Sequence, residues 1–398
     1  MHVTQGRDHA AAVVIVGAGS VGLLLGCCLS RLGVAYRILE RAAAPSAHSR
    51  AIGLHPVALE LLDRLQLAAP FLRAGCRVDG GRALRSDGRL AGRLSFASCP
   101  PPFPFVLTLP QQQTESLLER ALVERDPRAL TRSAEVVRVE PLQDAVRVTY
   151  LDDQHDSKVL EAAVVVGCDG KHSMVRRAAG IPFDGAAYPD AFIMGDLDDD
   201  TGLGAEAVIF LHHEGMVESF PLPMGRRRWV ARTDCPRQRA TREELQAIVK
   251  RRCGVRLEQS QEHMLSAFGI ERFLARTLVA GRIALAGDAA HVLSPIGGQG
   301  MSVGWQDAWH LAQTLQRTLR GDASSARLWR DYDRQRRRAA LWASRRAEAF
   351  TRLGRPQRWP AARDALVRLA LAWPLRATAA RIFTMRGSSR PAALPAPS

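Results

Sequence analysis

Residues 13–22 read Val-Val-Ile-Val-Gly-Ala-Gly-Ser-Val-Gly, and no other stretch of the 398-residue chain limits the fold as tightly. Val13 to Val16 is a short apolar run, the pattern of a buried parallel strand. Gly17 permits a tight turn, Gly19 lets backbone approach a pyrophosphate, and Gly22 lets the next helix pack close to the strand. With Ser20 and Val21 they form a turn that opens a helix at the phosphates, where free N–H groups and the helix dipole favour negative charge. Leu23 to Leu32 supplies that helix, and Gly33 ends it as a C′ glycine. Val34 to Leu39 is a second strand that delivers Glu40, with Arg41 beside it, at its carboxyl end. An acidic side chain there accepts hydrogen bonds from a ribose. Strand, glycines, helix, strand and acid together predict a Rossmann-like unit.

A signal peptide or membrane helix is the competing reading, because Ala10 to Leu29 is nearly all apolar or small. Three phased glycines would weaken such a helix, and the continuation to Glu40 would have no purpose. No other apolar stretch is long enough to span a bilayer, so a soluble, cytoplasmic protein is expected. The length suggests roughly two to three domain-sized units. The seven cysteines are scattered without a CxxC pair or a zinc-like grouping, which predicts reduced thiols, no disulfide and no metal. Net charge is +15 and almost wholly arginine, since Lys158, Lys171 and Lys250 are the only lysines. Such a balance fits an acidic substrate, NADPH, an anionic lipid surface or simply a solvated face. No aromatic platform or recognition helix accompanies the basic runs, so nucleic acid is excluded as a partner.

Further along, Ala51 to Leu67 carries leucines at helical spacing, and 75–105 reads as short strands and loops. Thr114 to Glu124 reads as a helix, 136–140 with 145–150 as a hairpin, and Ala162 to Val166 as a strand ending at Asp169-Gly170. Short extended runs at 208–212, 216–221 and 228–233 form an antiparallel meander, flanked by a helix with a capping box at Thr241-Arg242-Glu243-Glu244. Arg282 to Ala286 re-enters the first unit as a strand, Met301 to Leu319 is a long amphipathic helix, and 324–385 is helical and broken at Pro356, Pro360 and Pro374. The fold class is therefore α/β (α+β overall), with two interleaved domains and C-terminal helices. The expected boundaries are 11–75, 105–180 and 278–320 for the nucleotide unit, 76–104 and 181–277 for a substrate domain, and 321–398 for the helices.

Two later motifs, Gly167-Cys168-Asp169-Gly170-Lys171-His172-Ser173-Met174-Val175-Arg176 and Gly287-Asp288-Ala289-Ala290-His291 followed by Pro295 to Gly300, resemble the Asp-Gly and Gly-Asp motifs of the para-hydroxybenzoate hydroxylase class of flavoprotein monooxygenases. The resemblance covers most of the chain, from about Val13 to the helix after Met301. It implies FAD as cofactor and NAD(P)H as co-substrate. It also implies that Asp169 touches FAD, that Asp288 binds the ribityl chain, and that the backbone of Pro295, Gly298, Gly300 and Met301 meets the flavin ring. By the same resemblance Arg50 lies near the FAD phosphates and Gln111, in Leu-Pro-Gln-x-x-Thr-Glu, contacts the flavin. Ser302 and His310 depart from the asparagines of many relatives, and Ser302 is left to cap its helix.

The chemistry implied is hydroxylation or related oxygenation of an aromatic small molecule with O₂, through a flavin C4a-hydroperoxide. In such enzymes the cofactor carries the hard step and the protein positions the ring and excludes water. That agrees with the absence of a triad or carboxylate pair, and no catalytic residue is assigned. Substrate activation calls for a base to deprotonate a phenol, with His212, His213 and Tyr188 of the substrate domain as candidates, but each reads first as a bystander, and His291 as an oriented packing residue. The alternatives are an FAD-dependent reductase of a lipophilic, quinone-like substrate without oxygen insertion, and a non-catalytic flavin-binding protein. A halogenase is set aside because its Trp-x-Trp-x-Ile-Pro motif is missing. Between Ala365 and Met385, leucines and Trp373 alternate with arginines, so the tail either packs on its own domain or lies on an anionic membrane surface. Monomer and homodimer both remain open.

Overall fold

Val13, Val14 and Ile15 are fully buried in the strand Ala11–Val16, at the centre of an eight-stranded sheet in this computed structural model. The structure describes residues 11–45, 51–233, 239–257, 259–356 and 359–386. Ala11–Val16 pairs in parallel with Tyr36–Leu39 on one side and with the end of Ser157–Gly167 on the other. Leu130–Thr131 and Ile283–Leu285 extend the parallel sheet at its two ends. Both faces are covered, which is why the central strands are continuous apolar runs. Ser157–Gly167 is longer than the expected strand because its first half pairs antiparallel with Val146–Leu151, the second arm of the hairpin that begins at Glu135–Pro141.

The helix Ser20–Arg31 packs on Gln111–Arg125 and on Gly300–Leu319, so three distant segments close one side of this sheet. One expectation is corrected between Ala51 and Leu67. Gly53–Leu54 is a strand paired with Val106–Thr108, and the helix runs only over Pro56–Arg64. Pro56 lacks an N–H and fits the first helical turn, which sets the start there. Arg50 lies outside the described residues.

The second sheet also has eight strands, in the order His291–Val292, Glu262–Ala275, Phe183–Asp198, Arg226–Thr233, Val217–Leu222, Ala207–Leu211, Gly80–Arg85, Leu90–Ser95. It is antiparallel except where Ala207–Leu211 runs parallel to Gly80–Arg85. Its two faces are distinct, as side-chain alternation requires. Ile193, Leu197, Val208, Val217 and Trp229 pack with the helix Arg242–Cys253, whose Thr241 side chain accepts from Glu244 N at 3.2 Å. On the opposite face Phe192, Met194, Met216, Val230 and Ile270 cluster with Ile296. Because His291–Val292 pairs with Glu262–Ala275, the segment after Gly287 passes from the first sheet to the second.

Among the described C-terminal residues, Ser325–Gly354 is one helix of 30 residues, followed by Pro360–Ala370 and Leu375–Phe383. Pro360 occupies the first turn of its helix and Pro374 immediately precedes the last. Val367 and Leu371 pack against Ala83, Ala91 and Leu211 of the second sheet, and Ala380 packs with Phe96, Cys99 and Val106.

Candidate cofactor and substrate site

At the end of Ala11–Val16 the three glycines do three different things. Gly17 has φ +103°, a conformation side chains avoid, and a Cβ there would stand 2.5 Å from Cys168 O. A Cβ on Gly22 would stand 2.0 Å from Gly17 O, so this glycine closes the helix onto the turn. Gly19 differs: a Cβ would meet only Glu115 Oε1, at 3.9 Å, so the space before the helix is open. Gly19 is the helix N-cap and has no side chain of its own to cap it, and no acidic residue occupies the first turn. Ser20 N donates to Glu115 Oε1 at 3.1 Å, while Val21 begins the uncapped turn.

Glu40 stands at the carboxyl end of Tyr36–Leu39, as expected, and accepts from Ala18 N at 2.7 Å and from Ala42 N at 2.8 Å. Each oxygen retains a lone pair for a sugar hydroxyl. Arg41 beside it is exposed. Gln111 is the first residue of its helix and donates through Nε2 to Glu115 Oε1 at 2.8 Å. Glu115 closes the Leu-Pro-Gln-x-x-Thr-Glu stretch but was given no role in the sequence. Burial raises its pKa, partly offset by the hydrogen bonds from Gln111 and Ser20.

The Asp-Gly motif is a doubly capped helix start. Asp169 Oδ2 accepts from Met174 N at 2.7 Å and Val175 N at 3.1 Å, and Ser173 Oγ accepts from Arg176 N at 2.9 Å. Arg176 then donates to Ala289 O at 2.9 Å, tying this motif to the Gly-Asp motif 113 residues later. Asp169 Oδ1 is buried without a partner. Asp288 is exposed in the single turn Gly287–Ala289. Pro295 and Gly298 are also exposed, nothing lies near a Cβ built on Gly300, and Met301 is buried just inside the helix.

Two residues of the loop region escaped the sequence reading. His55 is 2% exposed, hydrogen-bonds the backbone of Gly297 and Gly298, and leaves Nδ1 unpartnered. Burial pushes its pKa down to about 4 against those hydrogen bonds, so the ring is neutral at ordinary pH. Gln299 is 2% exposed with both side-chain polar atoms unpartnered. Buried polar groups normally find partners, so such atoms beside an open glycine turn fit a site made for a bound group. Ser302 does not cap its helix; its Oγ accepts from His55 N at 3.5 Å, and Gln299 stands at the N-cap.

The open space at Gly19, the uncapped helix start, Glu40, the exposed Asp288 and the orphaned atoms of Asp169 and Gln299 together fit a long dinucleotide. Asp288 leads along the chain to the loop Pro295–Gly300. Beyond that loop lies the apolar face of the second sheet, where Phe192 stacks on Phe268 with centroids 5.6 Å apart. A shallow cleft opens beside it, lined by Tyr188, Ile270, Arg272, Ser294, Ser344 and Glu348 among others. Tyr188 thus lies near the site, whereas His212 and His213 contact each other with tilted rings, centroids 4.1 Å apart, in the turn after Ala207–Leu211.

The FAD binding domain family matches residues 10–347 of this chain. An uncharacterized aromatic compound monooxygenase of Bacillus subtilis is 35% identical over 348 residues, covering 85% of this chain and 68% of that protein. A 12-dehydrotetracycline 5-monooxygenase/anhydrotetracycline 6-monooxygenase of Streptomyces rimosus is 33% identical over 372 residues, covering 90% and 73%. The crystal structure of p-nitrophenol 4-monooxygenase from Pseudomonas putida superposes with TM-score 0.85 at 24% identity, over 95% of this chain and 97% of that one, a likeness of fold.

Proposed function

We propose that this chain, which belongs to the FAD binding domain family and is a flavin-dependent aromatic monooxygenase, hydroxylates a phenolic ring of a polycyclic, polyketide-like molecule. It uses FAD with NAD(P)H and O₂ as co-substrates. The substrate class is supported by the tetracycline monooxygenase among its relatives and by the apolar, aromatic sheet face beyond the flavin loop. When bound, the flavin supplies hydride acceptance and oxygen activation.

The protein's part is assigned as follows. Gly17, Gly19, Ser20, Val21 and Gly22 cradle the pyrophosphate, Glu40 takes the ribose, and Arg41 lies beside the phosphates, a role that the family resemblance also implies for Arg50, which is outside the described residues. Asp169 and Gln111 line the cofactor channel, and Asp288 holds the ribityl chain. Pro295, Gly298, Gly300 and Met301 present backbone to the flavin ring. Segments 11–75, 105–180 and 278–320 make up the cofactor domain, 76–104 and 181–277 the substrate domain, and 321–398 the helical region. Phe192, Met194, Phe268 and Ile270 keep water from the reacting face.

The observation that carries the reading is the juxtaposition of an open dinucleotide cradle with that aromatic wall across one glycine loop. Purified protein should show a flavin spectrum, consume NADPH faster with phenols or polyketide aromatics, and yield a product heavier by one oxygen. Bound flavin without oxygen incorporation would instead favour the reductase or flavin-binding alternatives.

A peripheral contact with an anionic membrane is the second element of the proposal, in an otherwise cytoplasmic protein acting as monomer or homodimer. Among the described residues no helix is long and apolar enough to cross a membrane. Yet Trp359, Leu366, Leu369 and Trp373 are exposed, Trp373 by 80%, with Arg368, Arg376 and Arg381 also exposed nearby. Tryptophan and leucine ringed by arginine suit an anionic interface. Co-sedimentation with vesicles containing phosphatidylglycerol, lost on Trp373→Ser with Leu369→Ser, is the test; equal binding to neutral vesicles argues against it.

A further inference from the structure

We infer that Glu218 is the residue that receives the hydroxyl of a phenolic substrate and takes its proton. The inference rests on the monooxygenase reading above and adds the chain's own acid–base group to it.

Side chains alternate along Val217–Leu222, so Val217 joins the cluster under the helix Arg242–Cys253 while Met216 and Glu218 point to the other face. The register places Glu218 opposite Val230, Val230 opposite Met194, and Met194 opposite Ser266. Met194 and Val230 lie in the cluster that Ile296, from the flavin loop, closes. Glu218 therefore stands in the same row of the sheet as the residues that meet the loop. It is 8% exposed, and among the described residues it has no hydrogen-bond or ion-pair partner.

An unpaired carboxylate in an apolar wall is expensive, so it is retained for a reason outside the apo fold or is held neutral. The charges on neighbouring elements are engaged elsewhere. Arg228 is bidentate to Asp196 at 2.6 and 2.7 Å, and Arg232 and Arg355 both bond Asp190, at 3.4 and 2.6 Å. On the flanking helices Arg363 bonds Asp364 at 3.0 Å and Glu348 bonds Arg352 at 2.7 Å, while His212 Nδ1 accepts from Glu214 N at 3.3 Å. Burial alone pushes the Glu218 pKa up to about 7. A base near neutrality is well matched to proton exchange with a phenol at ordinary pH. In the step, the phenolic O–H bond breaks and an O–H bond forms on the Glu218 carboxylate. The bonding pair stays on the phenolic oxygen, and the ring becomes more electron-rich at the carbons ortho and para to it.

The test uses holoenzyme with two chromogenic phenols, 4-nitrophenol and 1,2-dihydroxyanthraquinone, whose colours report ionisation. Wild type is expected to bind at least one as its phenolate below the free phenol's pKa. Glu218→Gln should retain FAD but bind it more than tenfold more weakly and in the neutral form. Equal affinity and equal ionisation in the variant would overturn the inference. If neither phenol binds wild type nor stimulates NADPH oxidation, the substrate reading has failed instead, and a second measurement still judges Glu218. A carboxyl whose folded pKa is raised loses native stability as pH rises from its unfolded value toward and past 7, so the melting-temperature advantage of Glu218→Gln must grow between pH 5 and pH 8. A constant difference means the carboxylate has a partner and overturns the assignment. Glu218→Met, similar in volume, serves if the amide variant does not fold.

Discussion

His291 Nε2 and Asp307 Oδ2 stand 2.6 Å apart in full burial, and Asp307 Oδ1 takes Arg336 Nε at 2.6 Å. Asp307 Oδ2 also accepts from Gly287 N at 3.1 Å. One carboxylate thus pins the Gly-Asp turn to the helices Gly300–Leu319 and Ser325–Gly354, and His291 is an oriented packing residue, as the sequence suggested. Removing one member of a buried pair leaves the others uncompensated, so Asp307→Ala should cost about 3–5 kcal/mol in urea unfolding. Burial raises the Asp307 pKa, but His291 and Arg336 outweigh it and hold the carboxyl below its ordinary 3.8. Its stabilisation is present above that value and lost as pH falls below it, so Asp307→Asn should blunt acid unfolding in that range.

Gly19 and Gly22 separate cofactor binding from folding. Gly22→Ala drives a methyl into Gly17 O, and should destabilise the apoprotein by about 3 kcal/mol or more. Gly19→Ala meets nothing closer than 3.9 Å, so the apoprotein should melt as wild type does while FAD affinity falls at least tenfold. Differential scanning fluorimetry and fluorescence titration of FAD distinguish the two; loss of apo stability in Gly19→Ala would contradict this division.

Asp288 is exposed in the turn Gly287–Ala289. Asp288→Ala should leave melting of the apoprotein unchanged and weaken FAD by about 1.5–3 kcal/mol, the scale of a charge-assisted hydrogen bond. Isothermal titration of FAD into apoprotein would read the loss directly.

His55 gives the loop a pH dependence. Its folded pKa lies near 4 against the usual 6.5. The unfolded chain therefore binds a proton that the native state refuses, and stability falls as pH drops from about 6.5 toward 4. His55→Asn should flatten the melting temperature across that interval, and flavin release by wild type should follow the same curve. An unchanged slope in the variant would place the pH sensitivity elsewhere.

The cofactor half of the molecule was legible because its requirements are local. Gly22 answers to Gly17 O five residues before it, Gly17 to its own positive φ, and a period-two or helical pattern sets Glu40 at its strand end. The helix drawn from Ala51 failed for a non-local reason: Gly53 is taken by Thr108, and leucine spacing carries no information about that partner. His55 was missed likewise, since a histidine beside a proline has no special pattern until distant loops bury it, and Glu115 and Gln299, though inside the quoted motifs, had no role until the fold set their partners.

What the sequence determined by itself was the phosphate-binding βαβ unit, the two later motifs and the antiparallel meander, all encoded by glycine geometry and side-chain alternation. Only the tertiary structure decided that Arg176 joins the two motifs, that His291–Val292 crosses to the second sheet, and that Glu218 shares a face with Met194 and Ile296. Burial and pairing are properties of the assembled layers. A strand's sequence says which residues share a face, and the packing of sheet against loop says what that face meets.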